Sequence, residues 1–165
     1  MAPRLSSFPA LPTRTLLVGL LLLTAACAAE TAPQDLRQVQ RADSPNDALA
    51  CPPDSCSAAA DIESPVFAVA PEDLMQALRG AIEDEPRTEL AAEAPALNQA
   101  VYVQRSALFR FPDTVWVQSV ALSDGASVII YSRSNYGYGD FGVNRERVER
   151  WLARLEESLG PSTRE

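Results

Sequence analysis

Ala100-Val101-Tyr102-Val103-Gln104-Arg105-Ser106, Thr114-Val115-Trp116-Val117-Gln118-Ser119-Val120-Ala121 and Ser127-Val128-Ile129-Ile130-Tyr131-Ser132-Arg133 are three runs rich in β-branched and aromatic residues. That is the composition of strands. Ser123-Asp124-Gly125 lies between the last two and carries the chemistry of a hairpin turn, so the runs pair antiparallel. A weaker extended run, Arg87 to Ala94, precedes them. Helical periodicity flanks the set on both sides. Pro71-Glu72-Asp73 places a proline and two acids at a helix start, and Leu74, Met75, Leu78, Ala81 and Ile82 then recur at intervals of three and four until Pro86 forces a stop. A second helix is predicted from about Asn144, read as its N-cap, to Leu159, with Val148, Trp151, Leu152, Leu155 and Leu159 on one stripe and Gly160-Pro161 beyond. The order predicts an α+β fold: an antiparallel four-stranded β-meander covered on one face by two amphipathic helices.

The 165 residues are 47% apolar and 22% charged, which suits one globular domain and excludes collagen, coiled-coil and multi-span membrane classes. Every cation is Arg; there is no Lys and no His. Histidine triads, histidine metal sites, Schiff-base chemistry and P-loop phosphate binding are thereby removed together. The formal charge of −8 argues against nucleic acid as a partner, because neutralising phosphates requires a cationic surface. No cofactor and no metal is expected.

Residues 1 to 14 hold Arg4 and Arg14 and no acid, a short apolar core follows from residue 15 to 23, and small residues come next. These are the three regions of a signal peptide, expected to occupy residues 1–26. The apolar run from Leu16 to about Ala29 is shorter than the roughly 18 to 20 residues a spanning helix needs. Leu23-Thr24-Ala25-Ala26-Cys27 resembles the lipobox of bacterial lipoproteins, which implies lipidation of Cys27 and anchoring to the membrane through an N-terminal lipid. A conventional cleavage near Ala26 to Ala29 is the competing reading. With Ala28 rather than Asp after the Cys, the lipoprotein pattern implies the cell envelope, at the periplasmic face of the outer membrane.

Giving Cys27 to the lipid leaves Cys51 and Cys56 as an even pair in an oxidising compartment. Pro52-Pro53-Asp54-Ser55 between them favours a turn, so a structural disulfide is expected. Residues 28 to 50 lack aromatics, hold few large apolar groups and show no period, which reads as a flexible tether over 27–50 with the domain beginning at 51 and running to 165.

Arg105-Ser106-Ala107-Leu108-Phe109-Arg110-Phe111-Pro112-Asp113 and the stretch from Tyr131 through Asn135-Tyr136-Gly137-Tyr138-Gly139-Asp140-Phe141-Gly142-Val143-Asn144-Arg145 to Val148 resemble the two signature blocks of the domain-of-unknown-function 1499 family. The resemblance covers about residues 51 to 159. That family commonly opens on Cys-Pro with a second Cys inside Pro-Asn-Cys-Val-Ser; Asp54-Ser55-Cys56-Ser57-Ala58 departs from that run. The resemblance implies no assigned activity.

The residues themselves point to one corner. Arg105 and Arg133 close strands, Arg110 and Asp113 lie just beyond the first, and Asp140, Asn144 and Arg145 sit on a glycine-rich loop that enters a helix. Guanidinium groups beside a helix start suit a carboxylate or phosphate. The site expected here is a binding or interaction module for an anionic envelope component or an envelope protein. Pairing of Asp113 and Asp140 with the arginines, pinning loop to sheet, is the competing reading. An enzyme is the alternative class, as a hydrolase using Asp113 and Asp140. It lacks the usual activating partners, since Ser106, Ser132 and Ser134 have no His or Lys beside them.

Overall fold

The computed structural model describes residues 29–160. Seven strands and two helices form the domain: β1 (Asp47–Cys51), β2 (Ile62–Glu63), β3 (Val66–Phe67), α1 (Pro71–Glu83), β4 (Thr88–Ala94), β5 (Gln99–Arg105), β6 (Pro112–Leu122), β7 (Gly125–Ser134) and α2 (Val143–Leu159). The strands make one mixed sheet in the order β2-β1-β7-β6-β5-β4, with β3 also pairing β7. The expected four-stranded meander is therefore incorrect. β4 to β7 do run antiparallel to one another, but β1 and β3 share the outer edge of β7, and β2 adds to β1 in parallel.

The physical reason lies in the length of β7. β6 pairs with all ten residues along one edge, and the other edge is long enough to take β1 at Ile130 to Arg133 and β3 at Ala126 and Ser127. The turn is tight, with Leu122 paired to Gly125. Gly125 has φ of 139°, and a Cβ there would stand 2.0 Å from the Phe67 carbonyl oxygen, so only glycine lets β3 approach.

One face of the sheet carries α1 and α2. Leu74, Leu78, Ile82, Val148, Trp151 and Leu155 pack there against Tyr102, Val115, Val117, Val128 and Ile130, and Tyr102 meets Trp151 edge to face at 6.0 Å. The opposite face is covered too, and this corrects the tether reading of 27–50. Leu36 and Val39 are buried there with Leu49, Val101, Trp116, Ile129 and Tyr131. The segment is held by its backbone. Gln34 N–H donates to Gln99 Oε1 (3.0 Å), Leu36 N–H donates to Gln118 Oε1 (2.8 Å), and Trp116 Nε1 donates to the Ala32 carbonyl (2.9 Å). Composition missed this because two glutamines and an indole on β5 and β6 hold the segment, so it needs few apolar residues of its own. Within it Arg41 bridges Asp47 and Asp61, and burial together with Asp47 pushes the Tyr131 hydroxyl up to about 12.

Cys51 and Cys56 stand at disulfide distance, their Cα atoms 6.4 Å apart, across the turn at the end of β1. Cys27 and the signal-peptide region lie outside the described residues. Among the described residues no helix is long and apolar enough to cross a membrane.

Candidate functional site

At the end of the sheet where β5, β6 and β7 meet the start of α2, a guanidinium that the sequence reading did not select occupies the centre. Arg147 is 2% exposed. Its Nη2 donates to Asp113 Oδ2 (2.7 Å), Nη1 to Ser132 Oγ (2.7 Å) and Asn144 Oδ1 (2.6 Å), and Nε to Gln104 Oε1 (2.5 Å). A buried arginine is tolerable only when its donors are satisfied, and this one is served by two strands besides β6 and by its own helix. The network continues through Gln104 Nε2 to Glu85 Oε2 (3.1 Å), just beyond α1.

Glu85 is the second buried node. Arg150 donates to both its oxygens at 3.0 Å, and Arg154 lies 3.0 Å from Oε1. Burial pushes the carboxyl up, but the Arg150 guanidinium and Gln104 outweigh it and hold Glu85 down at about 2. The ends of α1 and α2 are thus joined to β5 and β6 by alternating charge.

Asp140 sets the entry into α2. Its Oδ1 accepts from Gly142 N–H (3.0 Å), and its Oδ2 accepts from Asn144 N–H (2.9 Å) and Asn144 Nδ2 (2.7 Å). Asn144 is therefore not the N-cap. The helix starts at Val143, with Gly142 at φ of 85° before it, and Asp140 reaches back over the first turn in the capping role. Asn144 is instead fully buried and bonds the Asn46 carbonyl (2.8 Å) and Ser134 Oγ (3.0 Å), tying α2 to β7 and the approach to β1.

The residues selected from sequence consequently divide. Asp113 and Asn144 face inward onto Arg147, and Asp140 joins them through Asn144. Arg133 lies on the opposite face, over the Trp116 ring at 5.5 Å and 2.7 Å from Glu30. Arg145 pairs with Glu149 (3.0 Å) and reaches the Asp61 carbonyl (3.3 Å). Arg105 and Arg110 stay at the sheet end, and neither guanidinium has a side-chain partner among the described residues. The four arginines and two acids do not form one pocket. Two clefts, of about 520 Å³ beside Arg79, Leu90 and Tyr102 and about 260 Å³ beneath the Cys51 turn, lie elsewhere. Among the described residues no group of acids or thiols is placed to hold a metal ion.

What the corner does expose is apolar. Leu108, Phe109 and Phe111 stand out from the loop between β5 and β6, and Tyr138 and Phe141 from the loop between β7 and α2; Phe109 is 68% exposed and Tyr138 78%. Phe109 stacks on Phe111 at 5.6 Å, and Phe111 meets Tyr136 at 5.9 Å. The loops are held in place. Ser106 and Phe111 exchange two hydrogen bonds, and Asn135 Nδ2 donates to the Pro112 carbonyl and Thr114 Oγ1. Arg110 and Phe141 both adopt left-handed backbone, at φ of 59° and 56°, an unfavourable conformation for side chains of this size.

These features define an α+β protein with a polar clamp inside one end of its sheet and an aromatic rim outside it. Residues 29–155 match the protein family of unknown function DUF1499, and the chain belongs to that family. No curated protein matches the chain. Among solved structures it is similar to the crystal structure of protein MLL2253 from Mesorhizobium loti, at 14% identity and a TM-score of 0.45, over 59% of this chain and 93% of that one.

Proposed function

We propose that this protein is a non-catalytic binding module of the bacterial cell envelope, held by an acyl group on Cys27 at the periplasmic face of the outer membrane. Its working surface is the loop end of the sheet, where it takes an anionic group bordered by apolar surface. The observation that carries this reading is the aromatic rim: Leu108, Phe109, Phe111, Tyr138 and Phe141 face solvent from two braced loops, with Arg110 among them and Arg105 beside them. Apolar side chains collected at one end of a soluble fold mark a contact surface. The address rests on the signal-peptide pattern and the Leu23 to Cys27 lipobox.

Asp113 and Asp140, the pair a hydrolase would need, are engaged with Arg147 and with the start of α2, so the geometry favours binding over turnover. Site-specific photo-crosslinking in cells tests the reading. With p-benzoylphenylalanine at position 109 or 141 of the full chain, adducts are expected that are absent when the same group replaces Leu90, an exposed apolar residue on β4. No adduct at either loop, or equal yield at 90, overturns it.

A further inference from the structure

We propose that the loop end is a bilayer-contact face: Leu108, Phe109, Phe111, Tyr138 and Phe141 enter the boundary between headgroups and acyl chains, with Arg110 on anionic headgroups. This deepens the binding-module reading and rests on it. Three observations converge.

The first is chemical. The exposed large apolar side chains among the described residues lie, except for Leu90, on these two loops or on Val143 directly after them. Phenylalanine and leucine with tyrosine and arginine at their border is the composition of a surface that sits at the membrane interface, where apolar rings are covered and polar tips stay wet. The loop between β5 and β6 has no acid from Ser106 to Phe111, and the one acid of the other loop, Asp140, is turned inward onto α2.

The second is where the chain comes from. Glu30 is held by Arg133, one residue before Ser134, which ends β7 and leads into the Tyr138 and Phe141 loop. Glu30, among the first of the described residues, therefore lies at the same end of the sheet as the aromatic rim. Cys27 is three residues from Glu30, a reach of at most about 10 Å at full extension. An acyl chain on Cys27 would set this end of the domain against the membrane rather than leave the domain on a long tether.

The third is the charge balance. Without residues 1–26, which hold Arg4 and Arg14 and no acid, the formal charge of −8 becomes −10, and the chain as a whole is repelled by anionic lipid. The loop end need not recruit the protein. It orients a protein that the N-terminus already holds, and Arg110 adds attraction only where the loops touch anionic headgroups, because exposed charges farther apart than about 8–10 Å are largely screened.

Fluorescence quenching by lipid tests the proposal. The full chain purified from membranes, carrying Phe109→Trp, Phe141→Trp or Leu90→Trp, is reconstituted into vesicles of phosphatidylcholine and phosphatidylglycerol with brominated acyl chains. Trp116 and Trp151 are buried and supply a constant background. Emission from positions 109 and 141 should shift to the blue and be lost to the bromine, while emission from 90 does neither; Arg110→Glu should reduce the quenching only where phosphatidylglycerol is present. Quenching at 109 and 141 no greater than at 90 overturns the proposal. A blue shift without bromine quenching also overturns it, because the rim is then covered by a second copy or another protein surface. Photo-adducts to a protein at 109 together with absent quenching refute the bilayer contact and leave the binding module standing; absent adducts together with absent quenching refute both.

Discussion

Arg147 on α2 donates to Asp113 on β6 at 2.7 Å, with side-chain exposures of 3% and 12%. A pair this deep contributes little net stability over an apolar isostere, but removing one partner leaves the other buried and uncompensated. The Arg and Asp chemistry of this corner is therefore directed at the protein's own helix, and the surface available to a partner is the aromatic rim around it.

Arg147→Met should cost about 3–5 kcal/mol, because it strands the Asp113 carboxylate and removes the partners of Gln104, Ser132 and Asn144. Adding Asp113→Leu should restore part of the loss. Urea unfolding of the two variants checks this, and additive losses would contradict it.

Glu85 gives the fold its acid limit. Its carboxyl is held at about 2 against an ordinary 4.5, so the unfolded chain takes up the proton first. The stabilisation is complete above about pH 4.5, falls as pH drops through the window and is gone below about 2, amounting to about 3 kcal/mol at most from this group. The stability gap between the native protein and Glu85→Gln should close over that window in urea titrations at stepped pH.

The segment before β1 is part of the core. Leu36 is fully buried beside Trp116, so Leu36→Ala should lower stability by about 2–5 kcal/mol. Thermal unfolding measures it, and an unchanged transition would return residues 29–46 to the role of a tether.

Phe141 is exposed and left-handed. Phe141→Gly relieves that backbone while adding freedom to the unfolded chain, so stability should change by no more than about 1 kcal/mol in either direction. Crosslinking from position 109 should nevertheless fall in this variant. A large loss of stability would mean that the ring is packed rather than presented.

The sequence pattern located most elements individually. The runs at 100–106, 114–121 and 127–133 are β5, β6 and β7, and the two apolar stripes are α1 and α2, because each is long and has a clear period. β1 was hidden. Asp47-Ala48-Leu49-Ala50-Cys51 has weak strand propensity and is extended only because β7 presents an edge to it. β2 and β3, of two residues each, carry no pattern at all.

Arg147 was missed for a different reason. In Asn144-Arg145-Glu146-Arg147-Val148-Glu149-Arg150 a charged helical residue reads as solvated. The available signal was position: Asn144, Arg147, Trp151 and Leu155 follow one another at three, four and four, which places the arginine on the buried stripe. Arg133 was selected with Asp113, Asp140 and Asn144, but strand alternation sends it to the face opposite α2, with Ile129 and Tyr131.

The most direct test of a working surface at the loop end is hydrogen–deuterium exchange of the full chain in its native membrane against the same chain in detergent. The account predicts that added protection is confined to residues 106–111 and 135–142, with the amides around Arg147 slow in both states. Equal exchange of the two loops in membrane and detergent, or protection appearing instead at the clefts beside Tyr102 or Cys51, would contradict it.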